Sequence, residues 1–261
     1  MTSFQDRVRM EISDGVADVR LVRGEKHNGL DWPMFVALNE AVDAVVEAGE
    51  DVNVIVLSGD GPSFCAGLDF KSFAEGNGDF AGDGFARRDG EDANFAQRVT
   101  YGWRALEVPV IAALRGACFG GGLQLALAAD VRIAEPSTRM SVMEIRYGLV
   151  PDMGLSQTIV PLVRPDVARE LAYTARIVEA DEALAIGLVT RLADDADGAA
   201  RELAAEIAEK SPAAIRATKR LAAEAWGKPP AEGLALEAEL QKTLIGTPGQ
   251  IAAVQKTMSG G

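Results

Sequence analysis

Two glycine-containing turns are the segments of this sequence whose residue types and order could do chemistry. They comprise residues 63–69, Ser-Phe-Cys-Ala-Gly-Leu-Asp, and residues 116–123, Gly-Ala-Cys-Phe-Gly-Gly-Gly-Leu. Small residues at a turn between a buried strand and a helix leave backbone N–H groups unpaired. They also allow a ligand to approach the backbone closely. Facing each other, two such turns would stabilise a developing oxyanion, and the dipole of a helix beginning at Gly121 would add to the attraction. Each turn taken alone is better explained by close packing.

The elements that must position these turns can be predicted from periodicity. Short apolar runs predict buried strands at residues 53–58 and 109–114, one before each turn. Alternating residues predict strands at 8–13 and 16–22, which Asp14-Gly15 joins as a hairpin. The remaining predicted elements are a strand at 131–134 and helices at 32–49, 98–106, 121–128, 155–163, 166–173, 181–185, 199–210, 212–225 and 231–244.

The order of these elements predicts an α/β fold with an α-helical C-terminal part. We expect a core over residues 1–194 and a helical region over 195–261, joined by a hinge at the acidic, aperiodic residues 194–198. Residues 76–90 are rich in Gly, Asp and Asn and predict a mobile surface loop.

Charge and cysteine content exclude several classes of function. The chain of 261 residues has 26 Lys and Arg against 39 Asp and Glu, a net charge of −13, which disfavours nucleic acid and membrane surfaces as partners. Cys65 and Cys118 form no CxxC pair, so we expect no disulfide framework, no metal site and a reducing, cytoplasmic location. The apolar stretch 108–129 contains Arg115 and three consecutive glycines, and therefore predicts a strand, a turn and a short helix rather than a membrane span.

Other motifs are missing. His27 is the only histidine, which excludes HExxH zinc sites, and no GxSxG elbow accompanies it. Residues 76–82 miss the GxGxxG spacing by one position, and no GxxxxGK[ST] motif occurs.

Together and in this order, the two turns resemble those of the enoyl-CoA hydratase/isomerase (crotonase) superfamily. The resemblance extends over nearly the whole chain. It includes residues 23–30 (Arg-Gly-Glu-Lys-His-Asn-Gly-Leu), 129–134 (Ala-Asp-Val-Arg-Ile-Ala), 144–151 (Glu-Ile-Arg-Tyr-Gly-Leu-Val-Pro) and 183–189 (Ala-Leu-Ala-Ile-Gly-Leu-Val).

The resemblance implies a coenzyme A thioester as substrate, with the carbonyl oxygen becoming an enolate held by the backbone N–H groups of Leu68 and Gly121. It implies that the substrate also contacts Lys26, Cys65, Ala66, Gly67, Gly120 and Gln124. Arg23, Lys26, Lys71 and Lys256 are candidates to face the anionic coenzyme. No further cofactor is implied, because coenzyme A is part of the substrate. A crotonase-like ββα spiral core, a helical trimerisation region, and a homotrimer or hexamer are also implied.

The carboxyl residues are where the sequence departs from the family's hydratases. The resemblance places the acid/base carboxylate on Glu144, but the second glutamate of the hydratases is replaced by Gln124, which can orient water and cannot take its proton. Asp152 stands where double-bond isomerases of the family place an acid; dienoyl-CoA isomerases also have an aspartate in place of Gln124, so the match to them is partial. Asp152 is equally well placed to cap the helix predicted from residue 155.

Three functions follow. Isomerisation of an enoyl- or dienoyl-CoA, in fatty acid metabolism, is favoured because Glu144 and Asp152 could shuttle a proton. The alternative enzyme is an enoyl-CoA hydratase that uses Glu144 with Gln124. A non-catalytic acyl-CoA-binding protein is the alternative from another class, and Glu144 argues against it because a carboxylate in an apolar pocket is costly to retain.

Overall fold

The computed structural model describes residues 1–75 and 82–259. The segment rich in Gly, Asp and Asn lies partly outside these residues, and so does most of the glycine-containing run 76–82. A short 3-10 turn, Asp83–Phe85, follows the gap.

Ten strands and eleven α-helices make up the described part of the chain. The strands are β1 (Thr2–Phe4), β2 (Val8–Ser13), β3 (Val16–Leu21), β4 (Val54–Gly59), β5 (Val110–Leu114), β6 (Ala117–Phe119), β7 (Val131–Ala134), β8 (Arg139–Ser141), β9 (Val178–Glu179) and β10 (Arg191–Leu192). The helices are α1 (Trp32–Ala48), α2 (Phe70–Ala74), α3 (Phe95–Ala105), α4 (Gly121–Leu127), α5 (Leu155–Thr158), α6 (Pro165–Thr174), α7 (Ala180–Ile186), α8 (Ala196–Ala208), α9 (Pro212–Glu224), α10 (Pro230–Leu244) and α11 (Pro248–Met258).

Two sheets organise the core. The larger has the order β1-β2-β3-β4-β5-β7-β10, antiparallel from β1 to β3 and parallel from β3 to β10. The smaller has the order β6-β8-β9, with β6 parallel to β8 and β9 antiparallel to it. Strands β4 and β5 are buried along their whole length, as expected of parallel strands covered on both faces. The α/β class predicted from the sequence is confirmed.

Local signals explain where the early elements begin and end. The Asp31 side chain caps α1 by accepting from the Met34 N–H, and Pro33 occupies the first turn. The helix stops at Gly49, whose φ is +54°. The β2–β3 hairpin turns at Asp14 and Gly15, with φ of 51° and 77°, as the two-residue turn requires. The predicted bounds of these elements are therefore confirmed to within a residue.

Helix α8 covers the second face of the larger sheet. Its Ala196, Ala200 and Ala204 are buried against apolar residues of β4, β5 and β7, and form with them a cluster separate from the main core. The predicted hinge at residues 194–198 contains instead the start of this helix, where Asp195 caps α8 by accepting from the Gly198 N–H. The division into regions 1–194 and 195–261 stays a prediction, but the first helix after residue 194 packs as part of the sheet's own core.

Two further predictions concern apolar segments. Residues 108–129 contain β5, β6 and α4, which confirms the strand, turn and short helix expected there. No helix within residues 1–75 and 82–259 is long and apolar enough to cross a membrane. The helix predicted over 155–163 ends already at Thr158, and the chain continues in turns to α6.

Candidate active site

The two glycine-containing turns lie side by side. The Cys65 N–H donates to the Ala117 carbonyl at 3.1 Å, and the Phe119 N–H donates to the Cys65 carbonyl at 3.1 Å. Gly67, with φ of +88°, comes so close to the second turn that a Cβ there would lie 2.6 Å from the Phe119 carbonyl oxygen and 3.6 Å from the Gly121 nitrogen. Only glycine fits this position, because of both its φ and the space. The juxtaposition predicted from the sequence is thus present.

The N–H groups of Leu68 and Gly121 are available at this junction. Gly121 is the first residue of α4, so its N–H has no partner inside the helix, and the dipole of α4 adds positive potential there. In the stretches 1–75 and 82–259, neither N–H donates to a protein acceptor. Two unpaired donors at adjoining turns form an oxyanion-binding arrangement of the kind that stabilises enolates.

A cavity of about 290 Å³ opens beside these two donors. It contains Ala66, Gly67, Leu68, Gly120 and Gly121 from the turns. The rest of its lining is apolar or aromatic except for the side chains of two carboxyl residues. These lining residues are Phe35, Phe70, Phe73, Phe85, Ala96, Met143, Glu144, Tyr147, Leu149, Val150, Asp152 and Met153. Glu144 and Asp152 therefore share one cavity with the oxyanion donors.

Glu144 has one oxygen held and the other unpaired. Its Oε1 accepts a hydrogen bond from Gln124 Nε2 at 2.7 Å, whereas its Oε2 is buried and has no partner among the described residues. Burial raises the pKa of Glu144; the nearby charge of Asp152 acts in the same direction, and the N–H donated by Gln124 opposes it. A buried carboxylate oxygen without a partner is costly to maintain, which marks it as a functional group.

Gln124 is a buried link between the two carboxyl residues, with 1% of its surface exposed. While its amide N–H binds Glu144, its Oε1 accepts from the Met153 N–H at 2.9 Å and the Leu155 N–H at 3.3 Å. These bonds hold the segment that carries Asp152. The Gln124 side chain does not line the cavity, and both ends of its amide are engaged within the protein. The role in water or substrate binding that the resemblance implied for Gln124 stays a prediction.

Replacing Gln124 with methionine is expected to move the pH dependence of kcat/KM to higher pH. The change removes the N–H that favours the ionised form of Glu144, so the pKa of Glu144 rises further. The part of the pH–rate profile that reports the ionisation of Glu144 then moves to higher pH by the same amount. It also leaves the Met153 and Leu155 N–H groups without an acceptor, at a cost of about 1–3 kcal/mol for each that stays buried. Measured pH–rate profiles and thermal unfolding check both effects.

The matched variant is Gln124→Glu, which keeps an acceptor for these two N–H groups and places a second carboxyl beside Glu144. Two carboxyl groups at hydrogen-bond distance share a proton, so one apparent pKa of the pair should rise strongly. A Gln124→Met enzyme with an unshifted profile would show that the Gln124–Glu144 bond has no effect on the reaction.

Asp152 does not cap the following helix. The N-cap of α5 is Gly154, in a left-handed conformation, and no side chain caps this helix. Asp152 instead lies at the cavity wall, where it stays accessible, and the surrounding protein raises the pKa of its carboxyl by desolvation. The next residue, Met153, is held at both of its backbone groups: its N–H donates to the Gln124 side chain, and its carbonyl accepts from the Thr100 hydroxyl. The capping alternative for Asp152 is therefore wrong.

Other predicted contacts fall elsewhere. Cys65 is fully buried, its thiol donates to the Asn28 carbonyl, and burial raises the pKa of this thiol to about 12; its side chain thus belongs to the core rather than to the substrate path. Lys26 is exposed and does not line the cavity, so its contact with the coenzyme stays a prediction. Arg23 is occupied by Asp31, Asp69 and the Gly29 carbonyl and is not free for a phosphate.

Two remaining basic candidates are also paired. Lys71 lies 4.0 Å from Glu75, and Lys256 bonds to Glu209 at 3.0 Å. Lys71 is 85% exposed, so its ion pair is weak and can yield to an anion.

The individual aromatic residues that line the cavity were not predicted from the sequence. Phe70 and Phe73 belong to α2, Phe85 to the short turn after the gap, and Tyr147 to a 3-10 turn at Glu144–Tyr147. None of these segments has a strong periodic signal, because all are short. The spacing of Phe70 and Phe73 on one helical face was the only local hint.

Comparisons with known proteins identify the family of this chain. The model of the enoyl-CoA hydratase/isomerase family matches residues 11–256. The mitochondrial Δ(3,5)-Δ(2,4)-dienoyl-CoA isomerase of Homo sapiens is 32% identical over 249 residues, 93% of this chain and 76% of that protein. The mitochondrial methylglutaconyl-CoA hydratase of Mus musculus is 30% identical over 244 residues, 91% of this chain and 75% of that protein.

A solved structure is also similar. The enoyl-CoA hydratase from Bacillus anthracis superposes with a TM-score of 0.87 at 27% identity, covering 97% of this chain and 96% of that one. The fold, the paired turns and the family match together define an acyl-CoA enzyme of the crotonase superfamily. The chain belongs to the enoyl-CoA hydratase/isomerase family.

Proposed function

We propose that this protein is an isomerase that shifts a double bond along the acyl group of an unsaturated coenzyme A thioester, within fatty acid metabolism. The observation that carries the proposal is that Glu144 and Asp152 both line the cavity beside the oxyanion donors. Gln124 cannot exchange a proton, and its amide is already bonded on both sides. The similarity to dienoyl-CoA isomerase supports the same activity.

In the proposed reaction each of these groups has one step. The thioester oxygen accepts from the N–H groups of Leu68 and Gly121, which stabilise the negative charge that develops when a proton leaves the α-carbon. One of the two carboxyl groups, ionised, takes that proton, and the other, in its acid form, returns a proton at the far end of the conjugated system. The double bonds move and no atom is added. Partial desolvation by the surrounding protein raises the pKa of both groups, which keeps the acid form within reach at higher pH.

A second candidate function is hydration of a 2-enoyl-CoA. The unpaired Oε2 of Glu144 favours it, because a single glutamate with a free oxygen can activate a water. The similarity to methylglutaconyl-CoA hydratase points the same way. Against it stands Gln124, which is held within the protein and does not line the cavity.

Product analysis separates the two activities. The protein is incubated with 2-enoyl-, 3-enoyl- and 3,5-dienoyl-CoA, and the products are followed by mass and absorbance. We expect an isomer of unchanged mass from the 3-enoyl or 3,5-dienoyl thioester, with absorbance gained on conjugation of the double bond with the carbonyl. A product heavier by one water from the 2-enoyl thioester, with no isomerisation, would establish the hydratase. Tight binding without turnover of any thioester would indicate a binding protein.

We also propose that the chain assembles into a trimer or a multiple of it. The C-terminal helices and their connections expose large apolar side chains that a monomer would leave in water, among them Trp226, Leu234, Ile245 and Ile251. Light scattering at micromolar concentration is expected to give a mass of three or six chains. A monomer under these conditions would contradict the assembly.

A further inference from the structure

Aromatic side chains with no role in the main core form part of the cavity lining. Phe73 is 47% exposed, Phe85 is 60% exposed and Tyr147 is 52% exposed, although all three are large and apolar in body. They come from three segments that are separate in sequence yet meet at one cavity. Exposed apolar groups that converge in this way mark a binding surface rather than a folding requirement.

The chain concentrates its aromatic residues here. It has nine Phe, three Trp and three Tyr residues in all, and five of these fifteen line the cavity: Phe35, Phe70, Phe73, Phe85 and Tyr147. The rings of Phe70 and Tyr147 lie with their centroids 4.0 Å apart and their planes tilted by 32°. Such a pair presents ring faces and edges that a third ring, on a ligand, can contact. Contacts between aromatic rings contribute binding free energy beyond that of the apolar area they bury.

Two methionines complete this environment. Met143 and Met153 also line the cavity, and thioether sulfur makes favourable contacts with ring edges while adapting its shape. Apart from the tyrosine hydroxyl, Glu144 and Asp152 bring the only polar side chains to the lining formed by the described residues. A ligand would thus meet flat, polarisable groups close to the carboxyl groups.

The size of the cavity sets the scale of the ligand. An apolar cavity of about 150 Å³ is sufficient for one benzene molecule. The 290 Å³ observed here is about twice that volume. It therefore has room for one ring and the few carbons that connect it to the thioester.

We propose that the acyl group bound by this site carries an aromatic ring a few carbons from the thioester carbonyl. The inference rests on the proposed function only in that the ligand is a coenzyme A thioester. It goes beyond that function by naming an aryl-substituted acyl group rather than a straight alkyl chain.

Binding of two inert thioesters tests the proposal. 3-Phenylpropionyl-CoA and nonanoyl-CoA both have nine acyl carbons and no double bond to react. Burial of apolar area alone favours the nonanoyl chain, because it has more apolar accessible surface than the phenylpropionyl group. We expect the opposite order by calorimetry, with 3-phenylpropionyl-CoA bound about two- to tenfold more tightly because of ring contacts.

Matched variants locate the preference. Phe70→Leu and Tyr147→Leu should each reduce the ratio of the two dissociation constants toward or below one. Tyr173→Leu removes an exposed tyrosine from α6, outside the cavity lining, and should leave the ratio unchanged. Equal or tighter binding of nonanoyl-CoA to the unmodified protein, or a preference that survives both cavity variants, would overturn the inference.

The two proposals fail in different ways. If nonanoyl-CoA binds at least as well and the protein still isomerises straight-chain enoyl-CoA, the aryl inference alone is wrong. If the aryl preference holds but no thioester is turned over, the isomerase proposal alone is wrong. If neither inert thioester binds and none of the unsaturated thioesters is turned over, both are wrong.

Discussion

Asp152→Asn is expected to lower the rate of isomerisation by about 10²–10⁴-fold, the usual contribution of a positioned acid or base. Asparagine has nearly the same shape as aspartate but cannot give or take the proton. Because Asp152 does not cap α5, the fold should hardly register the change. KM should stay near its original value, since the apolar cavity and the oxyanion donors are untouched. Steady-state kinetics with a 3-enoyl- or 3,5-dienoyl-CoA, together with thermal unfolding, measure these effects.

The comparison variants are Glu144→Gln and Asp166→Asn. Glu144→Gln should cause a loss of similar size, because the proton shuttle requires both groups. Asp166→Asn makes the same chemical change at an exposed carboxylate paired with Arg164, and should leave the rate unaltered. If Asp152→Asn keeps full isomerisation, the role proposed for Asp152 in the proton shuttle is wrong. If the wild-type protein only adds water, Asp152→Asn is silent and Glu144→Gln abolishes water addition, the isomerase proposal is wrong and the hydratase stands.

Gly121→Pro is expected to slow α-proton exchange of a saturated acyl-CoA in deuterated buffer by about 10²–10³-fold. Proline lacks the N–H by which Gly121 would stabilise the thioester oxygen in the proposed reaction, and losing one such donor typically costs this much. Exchange is the suitable measurement because it requires the enolate and not the later steps. It therefore reports on the oxyanion arrangement whichever reaction the protein performs.

Gly121→Ala is the matched control for this change. A Cβ at Gly121 meets the end of the Leu30 side chain and the Met153 sulfur, each at 2.8 Å, and both variants must displace these flexible atoms. Only the proline variant also loses the donor, so the difference between the two rates isolates the N–H. Leu68→Ala, which keeps its N–H, should be mild. Equal exchange in folded Gly121→Pro and Gly121→Ala proteins would refute the role of this donor.

Local sequence signals were enough for much of the fold. The hairpin at Asp14-Gly15, the stop of α1 at Gly49 and the buried strands β4 and β5 follow from turn chemistry, glycine conformation and apolar runs. These signals operate over a few residues, which is why they can be read without the tertiary structure. The family resemblance added the pairing of the two turns, which lie about fifty residues apart in sequence.

The site's polar contacts could be decided only by packing. Gln124 and Glu144 are 20 residues apart, and nothing local to either predicts that an amide would hold one carboxylate oxygen and leave the other free. The sequence was equally consistent with Asp152 as a helix cap, but in the structure Gly154 occupies the N-cap position of α5. Residue type and spacing therefore determined which groups were available for chemistry. The tertiary structure decided which of them meet, because the hydrogen bonds and desolvation that set their roles arise between distant segments.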